Sequence, residues 1–386
     1  MKSGHAGWVL LNYPVVTSRS RDNAGGFDHL LGNLQVYRQL GFKVLCICRW
    51  SPRLIDRLDG AVVLNIVPGA AVPVPPAEGS IYAAAPDRRC TPRSPGWRMA
   101  ARAVRNGLLA LVGTGLQCVL RPRLLHQRAN LRFMVSPRDR NALHLIELND
   151  EFVPAERCDA YLTVVPRPAL DGSQFAWRWP VSVVAPFDSR RFLQRLSTLA
   201  NPTRRLKVLL FGIGGTTAPR DIHEFIQRHP WFQNRDFDLH VYGGDSRAAP
   251  VAGVIQHGWS DARALPANEF DAALLYYDAS VYDDERLRLG SPTKLWKYID
   301  WSLPVFCNRE QVSKQFLGQF DCTDQVLYHE ALARQFAEHL QSLRCQTLPD
   351  TYARELAAFL KGLTGKGQLP SSSSCATQRM PAGSQS

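Results

Sequence analysis

The sequence predicts an α/β protein made of two parallel-sheet units in series. Three observations carry that reading. Over residues 7–66, strand-like apolar runs alternate with a segment of helical spacing, the order that places a covering helix between parallel strands. The same alternation restarts at residue 206, after a polar stretch near 186–204 that reads as a linker. The chain has 386 residues, 45% of them hydrophobic, which is enough for two domains of ordinary size with a core in each.

In the first unit, "GWVLLNYPV" (7–15) reads as a strand. Asn12 and Pro14 break its apolar run and no small-residue cleavage site follows, which sets it apart from a leader peptide. The loop "SRSRDNAGG" leads into "FDHLLGNLQVYRQLGF", whose apolar residues recur at helical spacing and end at Gly41. "KVLCIC" and "AVVLNIVP" read as the next strands, and the proline-, alanine- and arginine-rich stretch 68–96 as a long loop. Residues 97–134 carry Arg98, Arg102, Arg105, Arg121, Arg123, Arg128 and Arg132 around an apolar middle. The longest apolar run there, 107–120, has 14 residues, against roughly 20 for a bilayer span. "LHLIEL" (143–148), "DAYLTVV" (159–165) and "VSVVAPFDSRRF" (181–192) complete the unit.

In the second unit, "RLKVLLFGIGG", "FDLHVYGGD", "GVIQHGWS", "FDAALLYYD" and "LPVFCN" read as strands, with helices at "PRDIHEFIQRH" and "SPTKLWKYIDW". A helix near 350–362 closes the chain, and the low-complexity tail 366–386 reads as disordered. The boundaries expected are therefore 1–190 and 200–345 for the two domains, 346–365 for the closing helix and 366–386 for the tail.

Lysine and arginine number 46 against 34 acids, a formal charge of +12 that points to an anionic partner such as phospholipid, nucleic acid or a phosphorylated small molecule. No nucleic-acid motif is present and the aromatics do not interleave with the basic residues, so nucleic acid is not expected. The nine cysteines are an odd, scattered count with no CxxC pair, which argues against a disulfide framework and a zinc site and suits a reducing cytosol.

Ligands of open α/β sheets bind beyond the carboxyl ends of the strands. In the second unit, "FGIGGTTAPRD" (211–221) follows a strand and opens a helix; Gly214 and Gly215 let backbone N–H groups approach a phosphate, and Arg220 adds charge. At "SPTKLWKYIDW", Ser291 suits the N-cap, Pro292 the first helical position, and Thr293 and Lys294 the first turn. A capping box would have Glu or Gln where Lys294 stands. A cation there opposes the helix dipole by about 0.3–1 kcal/mol, and a bound anion reverses that sign. The plainer alternative is a lysine that extends into solvent.

In the first unit, Gly25 and Gly26 lie in the loop after the first strand, and Asp28 and His29 open the helix beyond it. Asn149 and Asp150 follow a strand end, where the Asp150 carboxylate either acts as general base toward a hydroxyl or caps the next helix. The acidic doublets at 236–238 and Asp283–Asp284 read as a strand start and a loop, and no metal is expected. The segment 97–134, with Trp97, reads either as a helix in an anionic membrane interface or as a buried helix with a basic edge.

"SPTKLWKYIDWSLPVF" also resembles the donor-nucleotide segment of group 1, family 4-like glycosyltransferases, which have two Rossmann-like domains facing across a cleft in the GT-B arrangement. "NAGGFDHLLGNLQVYRQLGFKVLCIC" resembles their glycine-rich first loop, first helix and second strand. "VVAPFDSRRF" resembles the end of their N-domain, and "VIQHGWSD" with "LPANEFDAALLYYD" the run before the donor helix. The pieces fall in order over roughly residues 5–345. The resemblance implies a glycosyltransferase using a nucleoside diphosphate sugar as co-substrate, with no other cofactor. It would act on a hydroxyl of a glycan or lipid-linked acceptor, in the cytoplasm or peripherally on the inner membrane face. The donor would lie among Gly214, Gly215, Arg220 and the 291–297 segment. Where the family has paired glutamates, this chain has Leu289 and Lys297. Lys297 cannot accept a hydrogen bond from a ribose; it either pairs with Asp300 on the same helix face or joins Lys294 on the diphosphate. A non-catalytic binding relative and a nucleotide-sugar epimerase are the alternative readings.

Overall fold

The computed structural model describes residues 7–13, 24–48, 53, 55–65, 115–128, 142–148, 158–213, 219–230, 232–233, 235–243, 251–258, 260, 264–277, 284–290, 292–309, 312–317 and 329–365. The first sheet contains β1 (Trp8–Asn12), β2 (Lys43–Cys48), β3 (Ile55–Leu58), β4 (Ala61–Asn65), β5 (Leu124–Arg128), β6 (Leu143–Glu147), β7 (Ala160–Thr163) and β8 (Ser173–Ala176). Their order is β3-β4-β2-β1-β5-β6-β7-β8, parallel throughout except for the β3–β4 hairpin. Helix α1 (Ala24–Gln39) connects β1 to β2 and buries Leu30, Leu34 and Tyr37 against the sheet.

The second sheet contains β9 (Leu206–Ile213), β10 (Phe237–Gly243), β11 (Val254–Gly258), β12 (Ala272–Leu275) and β13 (Val305–Cys307), all parallel in the order β11-β10-β9-β12-β13. Helix α2 (Ser189–Ala200) precedes it and α3 (Pro219–Arg228) links β9 to β10. Helices α4 (Asp284–Leu289) and α5 (Thr293–Asp300) lead from β12 to β13. Helix α6 (Glu330–Cys345) packs on α2, and α7 (Pro349–Gly365) returns to the first sheet, where Tyr352, Ala353 and Leu356 join the core under α1. The chain therefore crosses between the halves twice. The crossings are hydrogen-bonded to each other, Trp177 Nε1 donating to the Gln346 carbonyl (2.9 Å) and the Val181 amide to the Thr347 carbonyl (3.0 Å).

Three parts of the architecture depart from expectation. The stretch expected as a polar linker holds α2, which is capped by Asp188 and buries Phe192, Leu196 and Leu199. The segment 97–134 is not one basic helix: 115–120 is helical, but 124–128 is β5, next to β1 at the centre of the sheet. Its buried polar residues are held by distant partners. His126 Nδ1 meets the Tyr37 hydroxyl at 2.8 Å, and Gln127 Nε2 donates to His144 Nε2. Burial pushes the His144 imidazole down to about 4, so it is neutral and able to accept. Third, the acid expected in a loop at Asp284 opens α4. Nothing in the described residues is a helix long and apolar enough to cross a membrane. The tail 366–386 lies outside them.

In each sheet the strand order reverses once, between β1 and β5 and between β9 and β12. In such open sheets the binding crevice lies beyond the carboxyl ends of the strands at this point. Helix α1 starts at that edge of the first sheet, and α3 and α5 start at that edge of the second. Gly32 lets α1 lie close to the crossing: a Cβ there would sit 2.4 Å from the Pro180 carbonyl oxygen. Gly32→Ala should cost about 1–3 kcal/mol through forced displacement of backbone, read as a lower urea midpoint at unchanged m-value.

Candidate functional site

Helix α5 is fixed at its carboxyl end. Leu295, Trp296, Tyr298 and Ile299 are buried beneath it, followed by Trp301 and Leu303. The end is a Schellman motif: the Leu303 amide donates to Tyr298 O (2.9 Å), the Ser302 amide to Ile299 O (2.8 Å), and Ser302 takes φ 55°. Glycine is usual at that place. Here the Ser302 hydroxyl accepts from the Asp188 amide at 2.8 Å, which ties the start of α2 to the end of α5. Buried Arg195 adds a cation where the dipole is negative, donating to the carbonyls of Trp301, Ser302 and Ala267 at 2.5, 2.9 and 2.8 Å.

Tyr298 anchors the middle of α5 to the switch point. The β9–β12 ladder pairs only Val208 with Ala272 and Leu209 with Ala273. Beyond it the Tyr298 hydroxyl accepts from the Phe211 amide (3.0 Å) and donates to the Leu274 carbonyl (3.1 Å), filling the gap where the strands part. Burial raises this phenol well above its ordinary range.

The amino end of α5 is less satisfied. The N-cap is Pro292 rather than Ser291, and Pro292 makes no side-chain capping bond. A proline ring has no acceptor, so the Thr293 and Lys294 amides have no side-chain cap from it, while the Leu295 amide donates to the Pro292 carbonyl at 2.8 Å. No acid stands in that turn. Lys294 is partly buried, with its Nζ 5.9 Å from the centre of the Tyr277 ring. Desolvation pushes its ammonium down to about 8, and no carboxylate opposes the shift. Tyr277 is held by Asn308, which accepts from its amide at 2.7 Å and donates to its carbonyl at 2.8 Å. This turn is a cationic, partly dehydrated helix start at the carboxyl edge of the second sheet.

It faces the first sheet. Thr293 Oγ1 lies 3.2 Å from Nε2 of His29 on α1. His29 Nδ1 is 3.3 Å from the Pro180 carbonyl, which can only accept. A ring with a single proton therefore carries it on Nδ1, and the Thr293 hydroxyl then donates to Nε2. One turn along α5, Lys297 Nζ pairs with Asp28 Oδ1 at 3.0 Å and donates to the Ser182 carbonyl at 2.9 Å.

Thr293 and Lys297 of α5 thus meet His29 and Asp28 of α1 between the halves. Lys297 does not pair with Asp300, the partner expected on its own helix face. It is 1% exposed and spent on Asp28 and Ser182, while Asp300 is held by Arg344 (Nε 2.6 Å, Nη2 3.1 Å) and by the Val184 amide (3.0 Å). Gly25 and Gly26 stand in the first turn of α1 rather than in a loop, because the helix already starts at Ala24. Arg220 is the second residue of α3. Ser291, Gly214, Gly215, Asn149 and Asp150 lie outside the described residues.

Two residues were not singled out as site residues by sequence. His29 is buried rather than a surface side chain, a placement that only the Pro180 crossing explains. Asn12, the last residue of β1 beside the switch point, is 2% exposed, and neither of its amide atoms has a hydrogen-bond partner among the described residues. An asparagine closing an apolar strand at that edge is the only signal the sequence offered.

No protein-family model and no curated protein sequence matches the chain. Solved structures do. Sucrose-phosphate synthase from Thermosynechococcus elongatus aligns over 93% of this chain and 99% of its own, with 11% identity and a TM-score of 0.52. OtsA in its apo form aligns over 95% and 100%, with 8% identity and a TM-score of 0.53. At such identities the likeness concerns the fold, and the fold is GT-B.

Tyr298→Phe should remove the group that satisfies both Phe211 N–H and Leu274 C=O. The expected cost is about 1–3 kcal/mol of stability, measured by chemical denaturation.

Proposed function

We propose that this chain is a glycosyltransferase that moves a sugar from a nucleoside diphosphate sugar to a hydroxyl of a glycan or lipid-linked acceptor. The observation that carries the reading is the first turn of α5. It has no side-chain cap, lacks an acid, and holds Lys294 desolvated and without a counter-ion among the described residues. A dianionic diphosphate supplies what that turn lacks. The GT-B fold, with the carboxyl edges of two sheets opposed, supports the same reading.

In this scheme Lys294 and the α5 N–H groups stabilise the leaving diphosphate as charge develops on it. Gly214 and Gly215, with Arg220 at the start of α3, are proposed as further donor contacts. Asp150, with Asn149, is proposed to serve the acceptor side, where Asp150 would take the proton of the attacking hydroxyl. Asn12 is placed to hydrogen-bond a hydroxyl at the first sheet's switch point. A lipid-linked acceptor suits the exposed Arg121 and Arg123 beside Val119, which is 80% exposed.

The test is calorimetric titration of nucleoside diphosphates and their sugars, with product analysis in the presence of glycan acceptors. Binding should hold near pH 7 and fall about tenfold as the pH rises through about 8, because Lys294 loses its proton there rather than in the ordinary lysine range. Lys294→Ala should weaken diphosphate binding by roughly 10–100-fold and abolish that pH dependence. Conversion of the free nucleotide sugar without acceptor would mark an epimerase instead. Absence of binding by every nucleoside diphosphate would refute the donor site.

A further inference from the structure

We propose that Asp28 and Lys297 form an interdomain latch that positions the first turn of α5, making Lys297 a positioning residue rather than a ligand of the diphosphate. This rests on the reading of that turn as the diphosphate site. Two rungs join α1 to α5: Asp28 to Lys297 and His29 to Thr293. Thr293 and Lys297 are four apart, so they share one face of α5. Asp28 and His29 are consecutive on α1. Two rungs of that spacing set both the height and the rotation of α5 against α1. With Thr293 held toward His29, Lys294 is turned about 100° away around the helix, and its Nζ lies over Tyr277.

The latch is tied into the crossing between the halves. The Ser182 carbonyl accepts from Lys297 Nζ (2.9 Å) and from Arg344 Nη2 (3.4 Å). The Ser182 hydroxyl is 3.3 Å from Asp28 Oδ1, and its amide donates to the Asp28 carbonyl at 3.4 Å. Arg344 in turn holds Asp300, one turn along α5 from Lys297. Four charges from α1, α5 and α6 thus meet around one residue of the first crossing. Lys297 is sealed inside, while the Asp28 side chain is 17% exposed, so the pair borders the cleft on its Asp28 side.

Buried ion pairs are weak sources of stability, and apolar replacement of both partners is often neutral. What such a pair supplies is a unique geometry. This separates positioning from packing. The full chain is made as Lys297→Met, Asp28→Asn and the double variant Asp28→Leu with Lys297→Met. Three readouts are taken: thermal melting, nucleoside diphosphate affinity and hydrogen exchange of the α5 amides.

Lys297→Met, which strands Asp28, should melt about 5–10 °C lower, whereas the double variant should melt within about 3 °C of the parent. The double variant should nevertheless lose about tenfold in diphosphate affinity and exchange its α5 amides about tenfold faster. Asp28→Asn should lose affinity alongside Lys297→Met, since the two act as one unit. Parental affinity and exchange in the double variant would overturn the latch. So would an affinity loss in Lys297→Met that Asp28→Asn does not share, which would make Lys297 a direct ligand. If the parent binds no nucleoside diphosphate, the donor-site reading fails, and amide exchange in the double variant still decides the latch.

Discussion

The ion pairs Asp28–Lys297 and Asp300–Arg344, which share the Ser182 carbonyl, are the constraint on which the relation between the two sheets depends. Separately, each half has an ordinary core, one centred on β1 and α1 and the other on β9 and α5. Little of that apolar surface spans the seam. What crosses it is charge and hydrogen bonding: the two pairs, the His29–Thr293 contact, and Arg178 lying 4.7 Å from the Phe316 ring centre while donating to Gln346 Oε1. Such contacts are directional, so they fix an orientation that apolar packing would leave loose. The cost is desolvation of four charges, offset only because nearly every donor and acceptor in the group is used.

Helix α5 is where stability and function meet. Its carboxyl end carries a Schellman motif, Arg195 and the Asp188–Ser302 bond. Its middle is anchored by Tyr298 to the parting strands. Its amino end has no side-chain cap and carries a cation that opposes the dipole. A helix rigid at one end and electrostatically incomplete at the other is preorganised to receive an anion. The latch adds direction, because it settles which way the incomplete end faces.

Much of the fold was legible because it rests on local periodicity. The strands around β1, β2, β9, β12 and β13, and the helices α1, α5 and α7, all show their spacing in the sequence. Features that depend on distant partners were not legible. β5 contains His126, Gln127 and Arg128 amid a basic stretch that reads as a helix; its polarity is met by Tyr37 and His144, far away in sequence. α2 shows helical spacing at Phe192, Leu196 and Leu199, but its arginines made it look like a linker. In the site, Lys294 stood out because it breaks a local rule for helix starts. For Lys297 a local rule offered Asp300 as one partner, whereas the partner it has, Asp28, lies on the other half. Gly25 and Gly26 signalled a turn, yet glycine is also tolerated in a first helical turn.

A crystal structure of the full chain with the nucleoside diphosphate it binds most tightly tests the central claim most directly. The account predicts phosphate oxygens within hydrogen-bonding distance of Lys294 Nζ and the first-turn N–H groups of α5, with Lys297 still paired to Asp28. Phosphate bound away from that turn, or Lys297 drawn off Asp28 onto the ligand, would contradict it.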